Sequence, residues 1–103
     1  MATKPNFTDA RIIGDVVRVE GRSDPADPDL ADILDIRVTL VQGERMASRS
    51  VEQISEVWHA ELPVSDAATP GEFRAGEEAV AFGVEARKEN LLTMTWTETV
   101  TVA

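Results

Sequence analysis

Between Leu92 and Val102 the chain alternates with period two almost without a break. One set of positions reads Leu92, Met94, Trp96, Glu98, Val100, Val102. The other reads Thr93, Thr95, Thr97, Thr99, Thr101. A helix would scatter the threonines around its circumference, whereas a strand places them all on one face. The segment is therefore expected to bury Leu, Met, Trp and Val, and to present β-branched hydroxyls on the other side. Few other local patterns restrict a fold so strongly.

The same period recurs more weakly upstream. Phe7 to Gly14 and Val16 to Gly21 read as two strands broken at Gly14-Asp15, with Val17 and Val19 on one face and Arg18 and Glu20 on the other. Ser23 to Asp32 is a loop stiffened by two Asp-Pro steps, because proline fixes its own φ and steers its predecessor away from the helical region. Leu34, Ile36, Val38 and Leu40 then alternate against Asp35, Arg37 and Thr39, the pattern of a central strand. After a turn at Gln42-Gly43-Glu44, Arg45 to Ile54 reads as a polar edge strand, since Ser48, Ser50 and Val51 are poor helix formers. Ser55 to Val64 follows, with Trp58, Ala60, Leu62 and Val64 on one face and Pro63 where a strand ends or runs along an edge. Ser65 to Gly76 is a crossover carrying Phe73. In Glu78 to Arg87 the larger apolar residues Val80, Phe82, Val84 and Ala86 are expected inward, and Ala79, Ala81 and Gly83 outward. Lys88-Glu89-Asn90 then turns into the threonine-bearing strand.

This reading gives seven strands, closely spaced turn signals and no helix, the cues for an all-β, single-domain antiparallel sandwich. A chain of 103 residues has room for one such domain, and residues 1–6 are expected to be disordered. The 43% hydrophobic content suits a globular fold, although only 5% is aromatic and Tyr is absent. A net charge of −9 with scattered basic residues argues against nucleic acid and anionic membrane surfaces. Without Cys there is neither disulfide nor Cys-ligated zinc nor thiol catalysis. No apolar run approaches the ~18 residues that a membrane span needs. The start, Met1-Ala-Thr-Lys4-Pro-Asn, lacks the apolar centre of a signal peptide. A cytoplasmic location is expected if the chain is complete, and the cell surface if it is an excised module.

Four segments resemble the bacterial immunoglobulin-like (Ig-like) modules found in tandem in surface and secreted proteins. Val16-Val-Arg-Val-Glu-Gly21 looks like their V-x-V-x-G second strand, and Asp35-Ile-Arg-Val-Thr-Leu40 resembles the third. Trp58-His-Ala-Glu-Leu-Pro63 looks like the W-x-A-x-L/V-P strand, and Phe73-Arg-Ala-Gly-Glu-Glu-Ala-Val-Ala-Phe82 resembles the entry into the sixth. The resemblance covers most of the chain from residue 12 onward. It implies a seven-stranded sandwich and a non-enzymatic role, either as a binding or interaction module or as a structural spacer or subunit of a larger assembly.

No catalytic constellation emerges. His59 is the sole histidine and falls on an outward position beside Glu61; neither G-x-S-x-G nor H-E-x-x-H nor a phosphate-cradling glycine loop occurs. Trp58 and Trp96 fall on inward positions, the ordinary use of tryptophan between two sheets. Glu98 interrupts the apolar face of the last strand, where the strand end is expected to emerge from the core. The threonine face, Thr93 to Thr101, reads either as a solvated sheet surface, since Thr has high β propensity, or as a contact face or pairing edge for another protein or a second copy. No cofactor is implied. Asp24, Asp27, Asp29 and Asp32, with Asp35 beyond them, form an acidic loop whose alternative use is calcium binding. Their spacing is not that of a helix-loop-helix calcium site, and nothing in it places six oxygens around a point. Millimolar calcium should accordingly leave the thermal midpoint unchanged. A rise that disappears in the Asp27→Ala, Asp29→Ala double variant would establish a calcium loop instead.

Overall fold

The computed structural model describes residues 6–23, 33–68, 70–87 and 93–103. Seven strands and no helix occur among them: β1 (Asn6–Ile13), β2 (Val16–Arg22), β3 (Ile33–Gln42), β4 (Arg45–Ser50), β5 (Val57–Pro63), β6 (Glu78–Arg87) and β7 (Thr93–Thr101). Every pairing is antiparallel. A three-stranded sheet in the order β1-β2-β5 packs on a four-stranded sheet in the order β4-β3-β6-β7. The expected all-β sandwich is therefore the fold. Asn6, expected to be disordered, pairs with Arg22 at the start of β1, and residues 1–5 lie outside the described ones.

The strands form where the alternation is strongest. Val17 and Val19 on β2, Ile36, Val38 and Leu40 on β3, and Trp58, Ala60 and Leu62 on β5 all point into a shared core. Trp58 (1% exposed) and Trp96 (3%) are buried as expected. With Phe7 they join both sheets: the Trp58 and Trp96 ring centroids lie 6.3 Å apart, and Phe7 sits 5.9 Å from Trp58 and 5.6 Å from Trp96. The Trp58 indole N–H donates to the Ser23 hydroxyl at 3.2 Å.

Each indole lies across a glycine on the neighbouring strand. Trp58 is directly opposite Gly21 on β2, and Trp96 directly opposite Gly83 on β6. A Cβ at either glycine would come within 2.2 Å of an indole carbon. This reverses the expectation for β6. Ala79, Ala81, Gly83 and Glu85 face the core, while Phe82 (41% exposed) and Val84 (37%) face outward with Val80 half-buried. Space at Gly83 decides the face, because the Trp96 indole occupies the volume that any Cβ there would need.

Two further expectations change at strand ends. Leu34 is exposed and Ile33 buried, because a register irregularity between Ile33 and Asp35 breaks the alternation. β4 stops at Ser50 rather than Ile54, and β5 begins at Val57 rather than Ser55. The chain changes sheets between them, so residues 51–56 bend instead of pairing; Val51 N–H still donates to Ile36 C=O at 2.8 Å, and its side chain is buried.

The tryptophan arrangement generates a sharp prediction. Trp58→Ala or Trp96→Ala should each cost about 3–5 kcal/mol through lost burial and the cavity left behind. Gly83→Ala should cost ~1–3 kcal/mol by overpacking, although it adds only a methyl in a strand. Urea denaturation measures both, and a neutral Gly83→Ala would show that the indole does not lie over this glycine.

Candidate functional site

The outer surface of the four-stranded sheet is set by its register. Val80, Phe82 and Val84 on β6 stand opposite Thr99, Thr97 and Thr95 on β7. On the other flank they stand opposite Val41, Thr39 and Arg37 on β3, which in turn oppose Met46, Ser48 and Ser50 on β4. Thr95, Thr97, Thr99 and Thr101 are exposed, as the sequence predicts. Thr93 lies in β7 opposite Ala86. Sequence reasoning missed the rest of this face: exposed Met46, Phe82 and Val84, with half-buried Val41 and Val80 between them. The signal available was the run of small residues alternating with them on β6, which marks an inner face crowded by indoles.

The polar groups at the β3–β4 flank are tied to one another. Thr39 Oγ1 and Ser48 Oγ share a hydrogen bond of 2.9 Å, Arg37 Nε donates to Ser48 Oγ at 3.0 Å, and Ser50 Oγ donates to Asp35 Oδ2 at 3.4 Å. Asp35 is thus drawn into the sheet. Asp24, Asp27, Asp29 and Asp32 lie outside the described residues. Among the described residues no group of three His, Cys, Asp or Glu is placed to hold a metal ion.

The opposite face of the molecule differs in chemistry. On the outer surface of the three-stranded sheet Arg11 bonds Asp9 at 2.7 Å and Arg18 pairs with Glu20 at 3.3 Å. His59 sits half-buried there, opposite Glu20 in register, with Nε2 3.9 Å from Glu61 Oε1. It borders a recess of about 280 Å³ between the β4 and β5 edges that also meets Arg49, Ser50 and Glu52.

Arg45, the first residue of the expected polar edge strand, is buried (1% exposed). One Nη donates to Pro63 C=O at 2.6 Å, the guanidinium carbon lies 5.2 Å from the Phe73 ring centroid, and Asp66 Oδ2 is 4.0 Å away. Gln42 works beside it: its Nε2 donates to Arg74 and Glu77 carbonyls at 3.0 and 3.2 Å, and its Oε1 accepts from Arg74 N–H. These two side chains pin the crossover between β5 and β6 against the β3–β4 turn, so their role is structural.

Glu98 closes the side of the sandwich where β7 approaches β1. Its Oε2 accepts the Phe7 backbone N–H at 2.9 Å. Further along, Ile12 N–H donates to Ala103 C=O and Ala103 N–H to Ala10 C=O, both at 2.8 Å. The β1 backbone N–H of Phe7 and Ile12 and the Ala10 carbonyl are thereby occupied within the molecule. Glu98→Ala should cost ~1–3 kcal/mol, the penalty for stranding a part-buried donor, and should speed exchange of the Phe7 amide proton. Glu98→Gln, which keeps an acceptor, should retain most of that protection. Comparison with protein-family models, curated protein sequences and solved structures finds no match to this chain.

Proposed function

We propose that the chain is a non-enzymatic, Ig-like interaction module that binds protein through the outer face of the β4-β3-β6-β7 sheet. The observation that carries this reading is the exposure of Phe82, Val84 and Met46 on one continuous, threonine-flanked surface. Single exposed apolar residues are ordinary, but a contiguous patch rimmed by polar groups is characteristic of contact surfaces. Interface centres are depleted of charge and enriched in aromatic and Met side chains, as this face is.

The Ig-like assignment is supported by connectivity as well as by the sequence resemblance. The first, second and fifth strands share one sheet, and the third, sixth and seventh share the other, as in immunoglobulin domains. The fourth strand joins the second group here, whereas constant-type domains place it with the first.

Replacing Thr95 and Thr97 together by Lys should abolish partner binding while leaving the circular dichroism spectrum unchanged. A Glu61→Lys variant on the other sheet should bind normally. Affinity capture from native lysate with the three proteins side by side checks this, and retention by the double variant, or chemical-shift changes confined to the outer face of the small sheet around His59 and Glu61, would overturn the choice of surface.

A further inference from the structure

We infer that the partner for this face is a second copy of the chain, stacked sheet against sheet about a twofold axis. The inference rests on the proposed interaction surface and deepens it by naming its occupant.

Charge is the first argument. The chain carries −9 overall, yet the centre of the face, Val41, Thr39, Val80, Phe82, Val84, Thr95, Thr97 and Thr99, has no charged side chain. Arg37 flanks Val84 in the same row and bonds the Ser48 hydroxyl, Asp35 lies beyond it bonded to Ser50, and Glu78 lies at the other end. A cationic partner would find little here to recognise. Two acidic copies meeting through the centre of this surface bring no carboxylate there into contact.

Shape is the second. Phe82 stands between the short side chains of Thr39 and Thr97, its register partners. A copy turned about an axis parallel to the strands sets β6 over the other copy's β3, so each Phe82 meets a Thr39 hollow. The match is isologous, as a twofold interface requires.

Area is the third. Four strands at about 4.8 Å spacing and ~27 Å length give roughly 500 Å² of flat footprint per copy. Side-chain relief raises the accessible area above that, toward the ~1,200 Å² total at the lower limit of specific interfaces. The dimer should consequently be weak, with a Kd on the order of 100 µM, and dependent on protein concentration.

Sedimentation equilibrium of the full chain from ~10 µM to ~1 mM tests this at about 50 mM and about 500 mM NaCl, where screening of the −9 charges differs. The expected result is a monomer–dimer equilibrium that tightens several-fold at high salt. Phe82→Lys and, independently, Thr97→Lys should each weaken it more than tenfold without lowering the thermal midpoint, whereas Glu61→Lys should leave it unchanged. A monomer throughout at both salts, or a dimer indifferent to both face variants, overturns the inference. Should the pure protein stay monomeric while capture of another protein still depends on Thr95 and Thr97, self-pairing fails and the interaction surface stands. Should neither depend on this face, both readings fail.

Discussion

Much of this molecule follows from two indoles that must lie between two sheets. Each of Trp58 and Trp96 is accommodated by a glycine directly across the ladder, and no other residue fits where a Cβ would come within 2.2 Å of the ring. Phe7 completes the contact between the sheets. With an aromatic content of 5%, a large share of the core's volume rests in these few rings, so their placement governs what the neighbouring strands can bury. β6 is the strand most affected. Its inner face is reduced to Ala79, Ala81, Gly83 and Glu85, and its larger apolar residues are left on the outside. The packing requirement of the core thus determines the chemistry of the surface.

Most of the architecture was legible because period-two patterning is a direct consequence of strand geometry. Where polar and apolar positions alternate cleanly, as on β2, β3 and β5, the inward face could be read correctly. β6 defeated that reasoning because both of its faces are largely apolar, so hydrophobicity carried no information and volume made the choice. Leu34 was misplaced for another reason: a local irregularity shifts the register, and a one-residue shift exchanges faces. Arg45 looked like an edge residue since a charge is costly to bury unless it is satisfied. Its satisfaction comes from Pro63, Phe73 and Asp66, which lie in segments distant in sequence. Of the candidate site, the threonine column was legible from its own strand, whereas its apolar companions came from β6 and depended on the face that had been read the wrong way round.

The two outer faces divide the molecule's roles. The small sheet presents the pairs Arg11–Asp9 and Arg18–Glu20 beside exposed Ile13 and Val57, and such exposed pairs contribute little to stability. The large sheet presents methyls, hydroxyls and a phenyl ring, with its few charges bonded locally. A strongly negative overall charge opposes indiscriminate association between copies.

The core explains why Phe82 is outside but not why it is phenylalanine. Any β-forming residue fits an outward position on a central strand, and threonine already occupies the adjoining column. An exposed Phe gains nothing from solvation there; its benefit arises only when something covers it, and fully burying such a side chain is worth about 1.5–3 kcal/mol. Since Phe82 is already more than half covered by its neighbours, the remaining gain per side chain is a fraction of that. Val84 and Met46 add to it on the same surface, whereas the threonines contribute flat, short side chains that let another sheet approach closely. An assembly built from such small terms depends on many of them acting together, which is why a single lysine at the centre should disrupt it so effectively.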